Sequence, residues 1–404
     1  MQKNELLVVY GEDPAAMAYQ LAEAAALAEL IGDKGKRVGL KPNLVVARPA
    51  EGGATTHPEI AAGLINYLKK IGFANIVILE GSWVGDNTQD AFHVCGYRDL
   101  AKATGVELID TQLDSAKPYD CKGMKIEICD SARAVDFMIN LPVMKGHCQT
   151  LLTCALKNNK GIMPDKEKRR FHSLGLHKPI AHLNTVARND FIVVDGICGD
   201  LDFEEGGNPV PAGRMFAARD PVLCDAWAAA QMGYETADIP YIGLAEKLGV
   251  GVGDPAKAVP RELNRPDDAQ AAAGRTGGAG AGSAQSAGSA GERPGARRQP
   301  GGKVRQLAQY IDESDACSAC YAALIFALSR LDHRELGRLP GKIACGQGFR
   351  GQKANLNGPP NLIGQPNEVV HGKLGSGNCA GRFERFCPGC PPSGAEVLEF
   401  LRGF

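Results

Sequence analysis

The sequence predicts an α/β fold, a mostly parallel sheet flanked by helices, joined to a small irregular cysteine-rich C-terminal module. Three observations predict it. Short aliphatic runs alternate with helical stretches from Glu5 to about Gly253; the composition collapses to Gly, Ala, Ser, Gln and Pro across 261–303; and six of the 13 cysteines fall from Cys317 onward. The chain thus divides into an α/β domain (1–260), a disordered linker (261–303) and a cysteine module (304–404).

The strand candidates are Leu6–Tyr10, Arg37–Leu40, Asn75–Leu79, Phe137–Leu141 and Phe191–Asp195, each bounded by Gly, Pro, Asp or Asn. Nearly continuous aliphatic strands of this kind are those of a parallel sheet covered on both faces. Asp13–Leu30, rich in Ala, Leu and Glu, reads as a helix. His57–Ile71 and Asp220–Met232 read as helices that begin on Pro58 and Pro221, where a missing amide proton costs nothing. The stretch 261–303 has almost no large apolar side chains with which to offset chain entropy, so it reads as a tether. Beyond it Val304–Ile311 and Tyr321–Leu331 look helical, and the rest, rich in Gly and Pro, carries little periodicity.

A formal net charge of −1 offers no field for gripping polyanions, so nucleic acid is not an expected partner. No apolar run is long enough to span a bilayer and the N-terminus has no export pattern, which points to the cytoplasm and away from membranes. In reducing cytosol cysteines serve metals or catalysis more often than disulfides. Cys95, Cys121, Cys129, Cys148, Cys154, Cys198 and Cys224 are scattered and read as small core hydrophobes.

The other six are patterned. Cys317 and Cys320 form one C-x2-C, Cys387 and Cys390 another, and Cys379 follows Gly377 and Asn378, with Cys345 between. C-x2-C supplies two thiolates from one turn, and a metal centre needs three or four converging from different segments. The pairs lie much further apart than the roughly 15–20 residues of a compact zinc ribbon. That spacing, with the extra thiolate of Cys379, favours an iron-sulfur cluster, most simply 4Fe-4S, over zinc. Gly346–Gly351 matches G-x-G-x-x-G, but Gln352–Pro360 is no helix to hold a pyrophosphate, so it reads as a tight turn.

The ending Gly389–Pro392 resembles the cluster loop of the small subunits of nickel-iron hydrogenases and of the related subunit of respiratory complex I. Upstream, Lys41–Asn43, Thr55–Glu59, Glu80–Ser82, Lys145–His147 with Ala155–Asn158, and Val194–Gly196 together resemble the family called domain of unknown function 362, over most of residues 38–225. Several members of that family join the domain to a 4Fe-4S module. The resemblance implies ligation by Cys317, Cys320, Cys379 and Cys390, with Cys387 as an alternate and Cys345 as a spare.

Polar clusters follow the aliphatic strands, where open α/β sheets hold ligands. Lys41, Asn43, Thr55, Thr56, Lys157 and Asn158 are candidate substrate-binding residues, and Lys145, His147, His57 and Asp195 candidate catalytic ones. Thr56 reads equally as a helix cap. If Gln149–Asn158 is helical, Thr150, Thr153 and Lys157 share one face fit for a carboxylate or phosphate, with Lys160, His172 and His177 nearby. In the acidic loop after Asp195, Glu205 is favoured over Asp200, Asp202 and Glu204, while Asp220 reads as a cap. The expectation is an iron-sulfur protein in electron transfer, or an oxidoreductase, acting with a redox partner protein or a small anionic substrate. The alternatives are a zinc-stabilised binding protein or metal-assisted enzyme, and a cluster that is purely structural or sensory.

Overall fold

The computed structural model describes residues 1–264, 302–314, 316, 318–346, 349 and 370–404. Most of the expected tether, Cys317 and most of the Gly346–Gly351 motif lie outside the described residues.

Strands β1 (Glu5–Tyr10), β2 (Val38–Pro42), β3 (Ile76–Glu80), β4 (Glu107–Asp110), β5 (Phe137–Leu141), β6 (Phe191–Asp200), β7 (Pro209–Ala218) and β8 (Val259–Glu262) form one sheet in the order β8-β1-β7-β6-β5-β2-β3-β4. Strand β7 is antiparallel to both neighbours, and the other described pairings are parallel. The sheet is thus mostly parallel, as the aliphatic runs predict. Alternate side chains enter two cores: Leu7, Val9, Leu40, Ile78, Ile139 and Val193 on one face, Leu6, Val8, Val77, Leu79, Ile192 and Val194 on the other. That double burial is why these strands are aliphatic throughout. Strand β8 pairs with β1, so the domain runs past residue 260, and Asn264 closes it by accepting from Tyr10 N at 2.9 Å.

Helix α1 (Pro14–Ala24) is capped by Asp13, whose Oδ1 accepts from Ala15 N and Ala16 N. It stops earlier than expected: Ala26 takes a left-handed φ of 52° and divides Asp13–Leu30 into α1 and a short helix at Leu27–Ile31. Helix α2 (Pro58–Ile71) begins on Pro58 and ends at Gly72, also left-handed. Thr56 does not cap it. Its hydroxyl donates to Leu141 O at 2.7 Å and accepts from Asn43 N at 2.8 Å, tying the helix start to β5 and to the loop after β2. Helix α3 (Pro221–Gln231) is capped by Asp220 through Val222 N and Leu223 N, as the sequence predicts.

The tail is more regular than its composition suggests. Strands β9 (Ile311–Glu313), β10 (Ile343–Cys345), β11 (Val370–Ser376) and β12 (Phe383–Cys387) form a four-stranded parallel sheet. The helix expected over Val304–Ile311 is Gly302–Ala308, and Ile311 belongs to β9. Helices α4 (Ser318–Leu328) and α5 (Gly394–Arg402) pack together beside this sheet. Strands β9 and β10, of three residues each, are too short to show a period in the sequence.

The tail docks on the larger domain through Phe203, which is buried in the tail's core with Leu324, Leu328 and Val397. Two guanidinium carbons lie near the Phe326 ring centroid, Arg330 Cζ at 3.4 Å and Arg48 Cζ at 5.4 Å.

Helices α1 and α2 cross at Gly63, where an added Cβ would lie 2.2 Å from the carbonyl oxygen of Ala15. Backbone cannot yield there as a flexible side chain can. Gly63→Ala is expected to cost about 2 kcal/mol through overpacking, read as a lower urea midpoint at unchanged slope.

Candidate functional site

The carboxyl ends of β2, β3 and β5 open into a cleft that is partly open to solvent. Asn43 and Val45 come from the loop after β2, and Glu80, Gly81, Ser82, Trp83 and Val84 from the end of β3 onward. Thr153, Lys157, Asn158, Lys160 and Gly161 come from the segment after β5, with Lys168 and His172 on the helix Asp165–Ser173 and Glu204 on the loop after β6. This is where a parallel α/β sheet holds ligands.

The helix expected over Gln149–Asn158 is not there. Lys145–His147 pairs antiparallel with Leu151–Thr153, Leu151 takes a φ of 63°, and helix begins only at Ala155. The buried Asp225 carboxylate explains that start, since it accepts from Ala155 N at 2.7 Å and from Leu156 N at 3.3 Å. Lys157 still reaches Thr153, Nζ to Oγ1 at 3.2 Å, by a bend rather than along a helix face.

Glu204, which the sequence discounts, is central to the site. Lys157 donates to its Oε2, and His147 Nε2 lies 3.1 Å from the same oxygen, though not aligned for a hydrogen bond. Burial alone would raise the Glu204 pKa, but His147, Lys157 and Lys160 outweigh it and hold the group well below the usual carboxylate value. His147 Nδ1 accepts from Gln149 N and Thr150 N, both at 3.1 Å, so the neutral ring carries its proton on Nε2, facing Glu204. Burial lowers the His147 pKa to about 4. Glu205, the favoured candidate, lies beside this charge instead, and burial followed by repulsion from Glu204 pushes it up to about 7.

The other candidates surround this centre. Lys41 is fully buried and paired with Glu80, whose Oε1 accepts from Leu44 N at 3.2 Å; burial lowers the Lys41 pKa against that pairing. Lys145 is enclosed by carbonyls, donating to Ala54 O and to Glu204 O at 2.8 Å, with Asn43 Oδ1 at 3.3 Å, and burial lowers it to about 7. Asn158 donates to Asn140 Oδ1 at 2.7 Å, and Thr55 to Arg48 O at 2.8 Å. Both fasten loops. His57 and Asp195 form a separate buried pair that does not line the cavity, Nδ1 to Oδ2 at 2.7 Å. Burial lowers the His57 pKa, but the bond and charge of Asp195, with Cys198, push it up to about 10. His172 lines the cavity, whereas His177 stacks on Tyr241 outside it.

Lys168 and Trp83 were not singled out in the sequence. Lys168 sits in the charged run Asp165–Arg170, yet its Nζ is buried against Ser82 O at 2.8 Å and Asp165 Oδ1 at 3.1 Å. Trp83 gave no signal beyond following Glu80–Ser82.

In the tail, β10, β11 and β12 end in register at Cys345, Ser376 and Cys387. Cys320 Sγ lies 3.2 Å from the Cβ position of Gly377. Gly377 N donates to Cys387 O at 2.9 Å, Asn378 N to Gly389 O at 2.8 Å, and Gly389 N to Asn378 Oδ1 at 2.8 Å. The segments carrying Cys320, Cys379 and Cys390 are therefore adjacent. Cys320, Cys345 and Cys387 are members of the tail's core, Cys379 is buried, and Cys390 is exposed.

Residues 38–230 match the family model described as Domain of unknown function (DUF362). A thylakoid-associated protein of Synechocystis sp. is 24% identical over 247 residues, covering 57% of this chain and 75% of that protein. Among solved structures, the lactate racemase apoprotein of Thermoanaerobacterium thermosaccharolyticum is 16% identical with a TM-score of 0.36, covering 53% of this chain and 54% of that one. A Thermotoga maritima protein is 13% identical with a TM-score of 0.29, covering 50% and 54%. The chain thus spans about half the length of the solved structures it matches. Among the described residues no helix is long and apolar enough to cross a membrane.

Glu204→Gln removes the charge that Lys157 and His147 face in a largely buried setting and is expected to cost about 3 kcal/mol at neutral pH. Because the folded pKa of Glu204 is depressed below 4.5, its stabilisation is full above that value and is lost as pH falls through the lower folded value. Urea midpoints of the wild type and variant should differ most at pH 7 and converge as pH drops below about 4.5.

Proposed function

We propose that the chain is an iron-sulfur redox protein. Its tail would hold a 4Fe-4S cluster through Cys317, Cys320, Cys379 and Cys390, and its α/β domain would receive a small anionic substrate or dock a redox partner protein. The observation that carries this reading is the closeness of Cys320 Sγ to Gly377, two residues before Cys379, in a loop bonded to the carbonyls of Cys387 and Gly389.

The chemistry of the donors fits. Three of the four cysteines sit on segments that meet at one edge of a parallel sheet, and thiolates from separate segments are what a cluster requires. Gly377, with φ 83°, brings its backbone against Cys320 Sγ without a side chain between them. A bound cluster would supply single-electron exchange. The chain's own contribution would be to hold the thiolates and, through exposed Cys390, to leave one side open to a partner. Cys320, Cys345 and Cys387 are all buried in the tail's core, so Cys387 stays an alternate ligand and Cys345 a spare. A reducing compartment such as the cytoplasm suits this use of cysteine.

Anaerobic purification with iron, sulfide and zinc quantification, followed by electron paramagnetic resonance after dithionite, tests the proposal. The expected result is a brown protein with about four iron and four sulfide per chain that bleaches on reduction. Cys390→Ala should lose most of the iron while the far-ultraviolet circular dichroism is retained. Colourless protein carrying about one zinc per chain would replace this reading with a structural zinc site.

A further inference from the structure

We propose that the cavity at the carboxyl ends of β2, β3 and β5 binds a small organic monoanion, its single carboxylate at Lys160 and a flat apolar body against Trp83. The inference rests on reading the α/β domain as the substrate side of the protein, and it names the substrate class.

The charges around the cavity decide the number of negative groups. Lys41 is paired with Glu80, Lys157 with Glu204 and Lys168 with Asp165. Lys160 is different. Its Nζ lies 3.1 Å from His172 Nε2, a ring nitrogen rather than a carboxylate. Burial, followed by repulsion from Lys160, holds His172 well below its ordinary pKa, so this imidazole is neutral and accepts from the ammonium. Burial and then Lys157 lower Lys160 itself to about 7, with Glu204 opposing. Among the described residues the lining therefore carries one lysine more than its carboxylates match, and the partial burial of Lys160 makes that uncompensated charge costly. One carboxylate restores balance. A phosphate dianion would overshoot it, beside Glu80 and Glu204.

The walls give the shape of the rest. Val45, Trp83 and Val84 also line it and supply its apolar surface. The floor cannot easily recede. An added Cβ at Gly161 would lie 2.2 Å from Glu80 Oε2, and one at Gly81 would lie 2.2 Å from Thr111 Oγ1, so both backbones are pressed onto the buried polar layer.

Benzoate is the test probe, with benzyl alcohol, which has the same ring without charge, and inorganic phosphate as controls. Binding is read by quenching of tryptophan fluorescence, since Trp83 lines the cavity and Trp227 packs on Phe216 outside it. Saturable quenching by benzoate is expected, with both controls at least about tenfold weaker. Lys160→Met should weaken benzoate by at least about tenfold, as loss of a charged hydrogen bond implies. Val84→Glu, at a partly exposed wall position, should do the same by placing a second negative charge at the mouth, and it decides the matter if the lysine variant does not fold. The proposal is overturned if benzoate does not saturate, if either control matches it, or if a folded variant binds within about twofold of the wild type. Iron content is measured on the same sample. Iron without benzoate binding counts against this inference alone, and benzoate binding without iron counts against the cluster alone.

Discussion

Glu204 places a negative charge where burial has removed the water that would otherwise stabilise it, and Lys157, Lys160 and His147 surround the space that remains. A buried carboxylate persists as an anion only when opposite charges are held close, and Lys157, bonded to Glu204, is the nearest of them. Much of the local architecture follows from this requirement. Lys157 comes from the short helix after β5, His147 from the hairpin before it, and Lys160 from the turn after it, so the irregular chain between Lys145 and Gly161 is folded around one carboxylate. Asp225 has a comparable role on the other side, fixing the start of that helix through the amides of Ala155 and Leu156.

The loop that delivers Glu204 is itself tightly held. Asp200 Oδ1 accepts from Asp202 N and Phe203 N, both at 2.9 Å, and its Oδ2 from Asn208 N at 3.0 Å. Gly206, at φ 71°, passes so close to the 52–54 segment that a Cβ would meet Gly52 O at 2.4 Å. Arg48 donates to Glu205 O at 3.0 Å, and Arg330 lies 3.4 Å from Gly206 O. These groups leave the loop little freedom, which is what positioning a charge at a largely buried site requires.

The fold was legible where side chains had to be aliphatic on both faces of the sheet. Phe137–Leu141 has the bounds its composition suggests, and helices α2 and α3 start on their prolines. Strand β7 was not legible, because Pro209, Pro211 and Gly213 read as loop; they lie on the part of the strand that runs out to meet Cys198, Gly199 and Asp200 of β6. In the site, Lys41, Asn43, Lys145, His147, Lys157 and Asn158 do converge around one centre, since polar residues after buried strands have few other places to go. Glu204 and Lys168 were missed for a shared reason. Both sit in charged runs that look solvated, and only the three-dimensional path of the chain turns one member of each run inward.

Phe203 and Glu204 are neighbours in the chain, yet one side chain is enclosed by the tail and the other by the floor of the larger domain. No flexible residue separates them, so the two regions share a common lever arm. Resculpting the tail around a different ring would tilt the peptide plane that aims the carboxylate. The tail's hydrophobic interior and the cavity's charge balance are therefore constrained to vary together, although neither touches the other directly at this point.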